Sequence, residues 1–380
     1  MRERVQEKVV CETMLSYEAF GALTPERRLR YLACCASRAP STHNTQPWAF
    51  VLRTRERNPA LQFFLDRRFV LPASDPTGRQ SVISIGAAVE NALIAASYYG
   101  LTRAARLRNA ALSEVKPALA RSEQRYVPLA EILFDEPAHA GLRDARGAHA
   151  LMRALFTRKM TRAEFLPEKH MPHALMKKIL AMHESGVKIH LITDGVRRRA
   201  IAEFQAQADN FVLNSPRFSR ELGHWLLHND TDAGRGMPGI GFGLSDTQAI
   251  RIHDGLVGEG ALRPDDMLRF ALGGKAGIES SPLIGILTIK KNDVAHWLAA
   301  GRMLERILLE LTSADIAVAV HAALVEVALV NKMFALTLGT LRPIAALFRA
   351  GYLRNPAHAL RPRAPRVPLE ELVLTHEPSP

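Results

Sequence analysis

The sequence predicts an α+β (mixed α/β) chain built from two fused halves, with mixed sheets flanked by helices around long central helices. Three observations carry that expectation. The 380 residues are 47% apolar, enough for a large core and for two domains or one internally duplicated unit. Apolar runs of strand length alternate with longer stretches of helical periodicity. A pattern also recurs at an offset of 215 residues, the spacing from Gly86 to Gly301 and from Glu90 to Glu305. At the same spacing Ser97 meets Thr312 and Leu101 meets Ile316, so a long helix followed by a strand is expected in each half, 1–147 and 148–380.

Residues 1–23 read as a leading helix or arm. Thr24-Pro25-Glu26 opens a helix with a capping hydroxyl and a proline at its first position, and that helix runs to about Ser37. A small, polar stretch from 39 to 46 follows. Pro40 and Pro47 bracket it and fix φ, while Ser41, Thr42, Asn44 and Gln46 offer short-range donors and acceptors. Such a cluster is ordinary loop chemistry, and a rigid loop of donors just before a strand is also suited to a planar polar ligand. Trp48 to Arg53 and Leu61 to Asp66, with a charged turn between them, predict a hairpin or adjacent strands. Asp75-Pro76-Thr77-Gly78-Arg79 is turn chemistry, and Ser81 to Tyr99 predicts a largely buried helix. Leu101 to Leu107 and Val127 to Phe134 read as strands around an alanine-rich, charged connection.

In the second half, Val187 to Thr193 reads as the counterpart of Trp48 to Arg53, and Leu283 to Lys290 as the counterpart of Val127 to Phe134. Between them lies an insertion, roughly Glu203 to Gly277, whose glycine-rich run Gly234 to Gly243 suits either a lid over a pocket or a surface loop. Ala314 to Phe348 is the most apolar region. His321, Glu326, Asn331, Lys332, Arg342 and Pro343 interrupt it, which favours a buried helix or strand pair over a membrane span.

The formal charge is +12, but no basic run exceeds Arg197-Arg198-Arg199 and the few aromatics are not interleaved with basic clusters. A positive surface that attracts anionic ligands is expected, rather than nucleic-acid binding. Cys11, Cys34 and Cys35 give neither a disulfide framework nor Cys-x-x-Cys, which fits a reducing compartment. The N-terminus has no apolar core of signal-peptide length, so a cytoplasmic location is expected. There is no P-loop, and no Gly-x-Gly-x-x-Gly stands between a strand and a helix. His224 and His228 could present two imidazoles on one helix face, but no third ligand accompanies them and no metal is expected.

Three stretches carry a family resemblance. Ala39-Pro40-Ser41-Thr42-His43-Asn44-Thr45-Gln46-Pro47-Trp48 follows a helix bearing Arg30, Tyr31 and Leu32. It resembles the first flavin-contacting segment of the nitroreductase-like FMN proteins, and is most similar to the Acg-like branch, in which two such halves are fused. Arg158-Lys159-Met160-Thr161-Arg162, followed by Phe165, resembles the Arg-x-Ser-x-Arg start of those domains, with Met160 in the usual Ser/Thr place and one donor missing. Leu347-Phe348-Arg349-Ala350-Gly351-Tyr352, then Pro365-Arg366-Val367-Pro368, resembles the closing segment. The resemblance implies a nitroreductase-like fold and an FMN site formed by Pro40, Ser41, Thr42, Asn44 and Gln46 together with Arg158, Lys159, Arg162, Arg363 and Arg366. The resemblance implies that a closing arginine helps bind the phosphate, a role that falls to Arg366, with Arg361 and Arg363 as nearby candidates.

That chemistry suits the residue types. FMN brings a dianionic phosphate, a planar apolar ring, and negative charge at one ring edge on reduction; guanidinium groups answer the first and last. The resemblance further implies NAD(P)H as reductant, a small-molecule electron acceptor (nitroaromatic, quinone-like or other), and no catalytic side chain beyond the flavin's N5. It equally allows a protein that stores FMN without turnover. One FMN per chain is expected. A reciprocal site would need basic residues where Cys11-Glu12-Thr13-Met14-Leu15 stands, and a Pro-Ser-x-x-Asn where His183-Glu184-Ser185-Gly186 stands. The expected assembly is a monomeric pseudo-dimer with no nucleic-acid or membrane partner.

Overall fold

A computed structural model describes residues 12–54, 59–101, 106–109, 124–134 and 145–378. Two four-stranded sheets carry the architecture. The first runs in the order Trp48–Arg53, Ala60–Asp66, Tyr126–Leu133, Arg106–Asn109; the second runs Val187–Ile192, Leu283–Ile289, Ile344–Gly351, Ala317–His321. Every neighbouring pair in them is antiparallel. Within its own half, each sheet has the order first, second, fourth, third strand. In each, a 20-residue helix lies between the second and third strands in the chain, Arg79–Tyr98 and Val294–Ser313.

This order corrects one expected pairing. Leu283–Ile289 is the second strand of its half, so it corresponds to Ala60–Asp66, and Ile344–Gly351 takes the place of Tyr126–Leu133. Ala60–Asp66, Leu283–Ile289 and Ile344–Gly351 are buried along their whole length, so composition cannot distinguish one inner strand from another. The expected strand from Leu101 falls partly on 102–105, outside the described residues, and the strand itself is Arg106–Asn109.

The first long helix, Pro25–Ser37, starts as its sequence requires. Thr24 Oγ1 accepts from the Arg27 amide at 3.3 Å and Pro25 occupies the first turn. The two central helices pack on each other and share one core with both sheets, including Phe50, Phe63, Val82, Ile307, Leu308 and Val318. They cross at glycine. A Cβ on Gly86 would lie 3.1 Å from Gly301 Cα and overlap the Leu298 carbonyl, and one on Gly301 would overlap the Ile83 carbonyl. Among the described residues only Arg79–Tyr98 has the length and hydropathy of a membrane span, and 83% of that window is buried inside the protein.

The helix Ala145–Thr157 packs against both central helices where the two halves were expected to join. The apolar region from Ala314 contains the strands Ala317–His321 and Ile344–Gly351, with the helices Ala323–Glu326 and Ala328–Thr337 between them.

The insertion is neither a bare loop nor a simple flap. Gly195–Leu213, Pro216–Trp225, Asp246–Asp254 and Pro264–Glu279 are helices, and Leu213, Leu222, Leu226, Ile252, Leu256 and Leu262 form a separate small core. The helix bearing His224 ends at Trp225, so His228 does not share its face. His228 Nε2 instead lies 3.8 Å from Asp254 Oδ1, while His253 Nδ1 is 2.7 Å from the Leu226 carbonyl.

Candidate functional site

The polar loop of the first half is held in a strained form. His43, Asn44 and Gln46 have φ of 49°, 54° and 48°, the left-handed region that non-glycine residues seldom enter. Local bonds stabilise the loop: the Gln46 amide donates to Ser41 Oγ at 2.9 Å, and the Asn44 amide donates to the Ser41 carbonyl at 3.0 Å.

Its side chains reach distant segments. Asn44 Nδ2 donates to the carbonyls of Gly236 (2.9 Å) and Pro365 (3.0 Å), and Asn44 Oδ1 accepts from Arg366 Nη1 (2.7 Å). Gln46 Nε2 donates to the Gly234 carbonyl at 2.6 Å and its Oε1 accepts from the Val367 amide at 3.1 Å. Arg235 Nε donates to the Thr45 carbonyl at 3.0 Å. These two amides therefore fasten the insertion and the C-terminal arm onto the loop. Replacing Asn44 by Ala is expected to leave the buried donors and acceptors around it unpaired, at about 1–3 kcal/mol each. The insertion should then be cut faster in limited proteolysis, and unchanged cleavage of the 230–240 stretch would count against the clamp.

Behind the loop lies a cavity of about 620 Å³, within the usual range for cofactor sites. Pro40, Ser41, Thr42, Asn44, Arg158, Lys159, Arg162, Arg363 and Arg366 all line it. Gln46 is fully buried and is not among the lining residues, so of the expected set it alone stays outside the cavity wall. Apolar wall comes from both central helices (Ile83, Ala87, Leu304), from Leu155 and from Val320.

The basic residues crowd one region. Arg158 has a side chain only 3% exposed and pairs through Nε with Glu305 Oε1 at 3.3 Å; its Nη2 donates to the Arg38 carbonyl. Arg366 Nη2 donates to the Ala39 carbonyl at 3.3 Å. Lys159 Nζ donates to the Ala359 carbonyl at 2.8 Å. Burial, then the charges of Arg158, Arg38 and Arg363, pull the Arg366 guanidinium down to about 9, against a partly opposing Glu305. Lys159 and Arg363 are lowered too, by burial and then by neighbouring arginines. Positive charge concentrated until it lowers its own pKa values favours a bound anion.

Arg162 stands apart from that group. Its guanidinium sits 4.5 Å from the Phe242 ring centroid of the insertion, and its Nη2 lies 3.7 Å from Met237 Sδ. Burial pushes it below the ordinary arginine range, with Asp209 opposing.

Three groups beyond those the resemblance implies, His43, His321 and Arg349, also line the cavity. His43 is drawn down to about 4 by burial and by Arg162, so it is neutral at pH 7. Arg349, 1% exposed, donates from Nε to His321 Nε2 at 3.0 Å and from Nη1 to the Ala163 carbonyl at 2.9 Å, with its guanidinium 4.6 Å from the Phe165 ring centroid. Burial and Arg162 lower Arg349 to about 9; burial and Arg349 hold His321 well below the usual histidine range. A lone arginine inside the apolar run 344–351 was the available signal. A further set, Gln205, Asp209, Glu221 and Glu326, lines the same cavity.

The fold and cavity thus define a class: an α+β chain with one strand order used twice, whose halves, insertion and C-terminal arm meet around one basic, apolar-walled pocket. No protein-family model matches the chain. Over 343 residues, 90% of this chain and 92% of the relative, it is 24% identical to "Putative NAD(P)H nitroreductase acg" of Mycobacterium tuberculosis (strain ATCC 25618 / H37Rv). A 67-residue match to "Uncharacterized protein Rv3127" of the same strain is 39% identical and covers 18% of this chain, but spans only 20% of that relative's length. Among solved structures, the FMN-dependent nitroreductase NfnB from Mycobacterium smegmatis in complex with NADPH is similar, with a TM-score of 0.38 and 18% identity over 61% of this chain and 99% of that one.

Proposed function

We propose that this chain is an FMN-dependent NAD(P)H oxidoreductase of the nitroreductase type, reducing nitroaromatic, quinone-like or other small acceptors. Its two halves, 1–147 and 148–380, act as a fused, monomeric pseudo-dimer around a single flavin. The observation that carries this reading is the meeting of Pro40–Asn44 from the first half with Arg158, Lys159, Arg363 and Arg366 from the second around one cavity. The donor set fits the cofactor. The crowded guanidiniums and Lys159 match a dianionic phosphate, and Ile83, Ala87, Leu304 and Val320 give the apolar wall that a planar ring requires. When bound, FMN would accept hydride from a nicotinamide and pass reducing equivalents to the acceptor. The chain's own residues bind, orient and shield: Arg162 brings positive charge beside the insertion, and neutral His43 and His321 add hydrogen-bonding edges without net charge. The full-length relative's name points the same way.

The contrast between the paired glutamates supports one flavin per chain. Glu305 faces Arg158 beside the cavity, while Glu90 is enclosed by Arg302 (3.1 Å) and Arg306 (2.7 Å), both of which also approach Glu184. The second position is thus already neutralised by its own side chains. A flavin-storage role is the second reading, favoured by the Asn44 and Gln46 bonds that tie the insertion down. The absorption spectrum before and after anaerobic NADPH separates the readings. A flavin band at one FMN per chain that bleaches is expected; a band that NADPH cannot bleach supports storage, and a colourless protein that refuses FMN sinks both.

A further inference from the structure

The basic residues of the cavity interact with one another, and so do its carboxyls. Burial and then Asp75, Glu221 and Asp209 raise Glu326, against Arg79; burial raises Asp209, against the Gln205 hydrogen bond and Arg162. Of these four interacting carboxyls, Glu221, Asp209 and Glu326 line the cavity. Two of the four are spoken for by local structure. Asp75 accepts from the Gln80 and Ser81 amides (3.0 and 2.9 Å) and from Ser81 Oγ (3.0 Å). Glu221 accepts from the Ala73 and Ser74 amides (2.6 and 2.9 Å) and from Ser74 Oγ (2.6 Å), which anchors the insertion to the first half.

Asp209 and Glu326 are not used in this way. Asp209 receives one hydrogen bond, from Gln205 Nε2 at 2.8 Å, and its Oδ2 packs where a Cβ on Gly274 would otherwise stand. Glu326 Oε1 is buried without a hydrogen-bond partner. An independent observation comes from Gln205, which lines the cavity, is 2% exposed, and has a buried Oε1 with no donor. A buried acceptor left unsatisfied costs free energy that a ligand N–H would recover. Three acceptors with spare capacity and the apolar side chains Val212, Phe242 and Phe270 line one cavity.

We propose that Gln205, Asp209 and Glu326 form a subsite for a cationic, N–H-rich group carried on an aromatic ring, such as an amidine, a guanidine or a protonated amine. This assignment rests on the proposed oxidoreductase reading and gives its acceptor a chemical class: nitrogen-bearing aromatic cations rather than aromatic acids. In the unliganded protein burial raises Asp209 to about 7 and Glu326 to about 8, so both hold protons near neutrality. A cation selects the ionised forms and displaces those protons, so affinity rises as pH climbs through this range.

The test titrates benzamidine and benzoate calorimetrically into protein loaded with FMN, so that the basic end is filled. Benzamidine is expected to bind at least about tenfold more tightly than benzoate, about tenfold more tightly near pH 8.5 than near pH 6, and with proton release near pH 7. The double variant Asp209→Asn/Glu326→Gln should lose both the preference and the pH dependence while keeping FMN affinity within about twofold. Benzoate matching benzamidine, or benzamidine affinity flat with pH, would overturn the subsite. Should the variant not fold, the pH series and proton release in the parent protein decide alone. The benzamidine pH series is also run without flavin. A protein that refuses FMN yet shows it loses the flavin reading and keeps the subsite; one that takes FMN and lacks it does the reverse.

Discussion

Arg158→Ala is expected to yield protein without flavin and with folding stability reduced by about 3 kcal/mol. Two effects combine. The first is electrostatic support for the cavity, where Arg158 sits beside Arg38, Arg363 and Arg366. The second concerns Glu305, whose side chain is 0% exposed and pairs with Arg158. Removing one partner of a buried pair strands the other. Burial already pushes the Glu305 carboxyl up, and without Arg158 it would rise further and take a proton. A carboxyl with a raised folded-state pKa binds more protons folded than unfolded, so stability falls as pH rises above the unfolded value. The deficit of Arg158→Ala should therefore be smallest near pH 5 and grow toward pH 8. Arg158→Ala/Glu305→Gln separates the effects: stability should recover and lose that pH dependence while flavin stays absent. Full flavin occupancy in the single variant would falsify the phosphate role. Failure of the glutamine to restore stability would remove the ion pair from the explanation.

Much of this site could be read from the chain because its signals are local. Pro40, Ser41 and Asn44 form a loop whatever lies opposite, and Thr24-Pro25 starts a helix by chemistry within four residues. The repeat of Gly86 and Glu90 at Gly301 and Glu305 gave both central helices. What the chain concealed depends on distant partners. Asn44 reads as a ligand-binding amide, yet its Nδ2 bonds lie 192 and 321 residues away, at Gly236 and Pro365. Gln46 has the same fate, and its burial could not be seen from a polar neighbourhood. The insertion's own core is hidden in the sequence for a related reason. Its core joins Leu213 and Leu222 to Ile252 and Leu262, and such a cluster leaves only scattered apolar residues in sequence. His321 looked like an interruption of an apolar run, and Arg349 like one residue of the closing segment. Paired across adjacent strands, they put a polar contact inside the core beside the cavity.

Gly301→Ala is expected to be among the most damaging alanine substitutions at the described glycines, and Gly86→Ala nearly its equal. Alanine normally favours a helix interior over glycine by about 1 kcal/mol, so propensity alone predicts a gain. Geometry reverses the sign. The new methyl at 301 meets the carbonyl of Ile83, and the one at 86 meets the carbonyl of Leu298; both obstacles are backbone, with no side chain to rotate away. The contact is reciprocal in the manner of a two-fold interface, since Ile83 and Leu298 are separated by the same 215 residues as the glycines. Relief requires the helices to move apart. They carry much of the shared core and also Ile83, Ala87 and Leu304 of the cavity wall, so separation loosens packing and cavity together. A loss above about 3 kcal/mol follows from overpacking at a close-packed crossing, with flavin lost in parallel. Gly21→Ala is the control, because a Cβ there meets nothing within 4 Å. It should change stability by no more than about 1 kcal/mol. Thermal unfolding of the three variants decides the matter. If Gly301→Ala melts with the parent and keeps its flavin, the two central helices do not cross where their glycines meet.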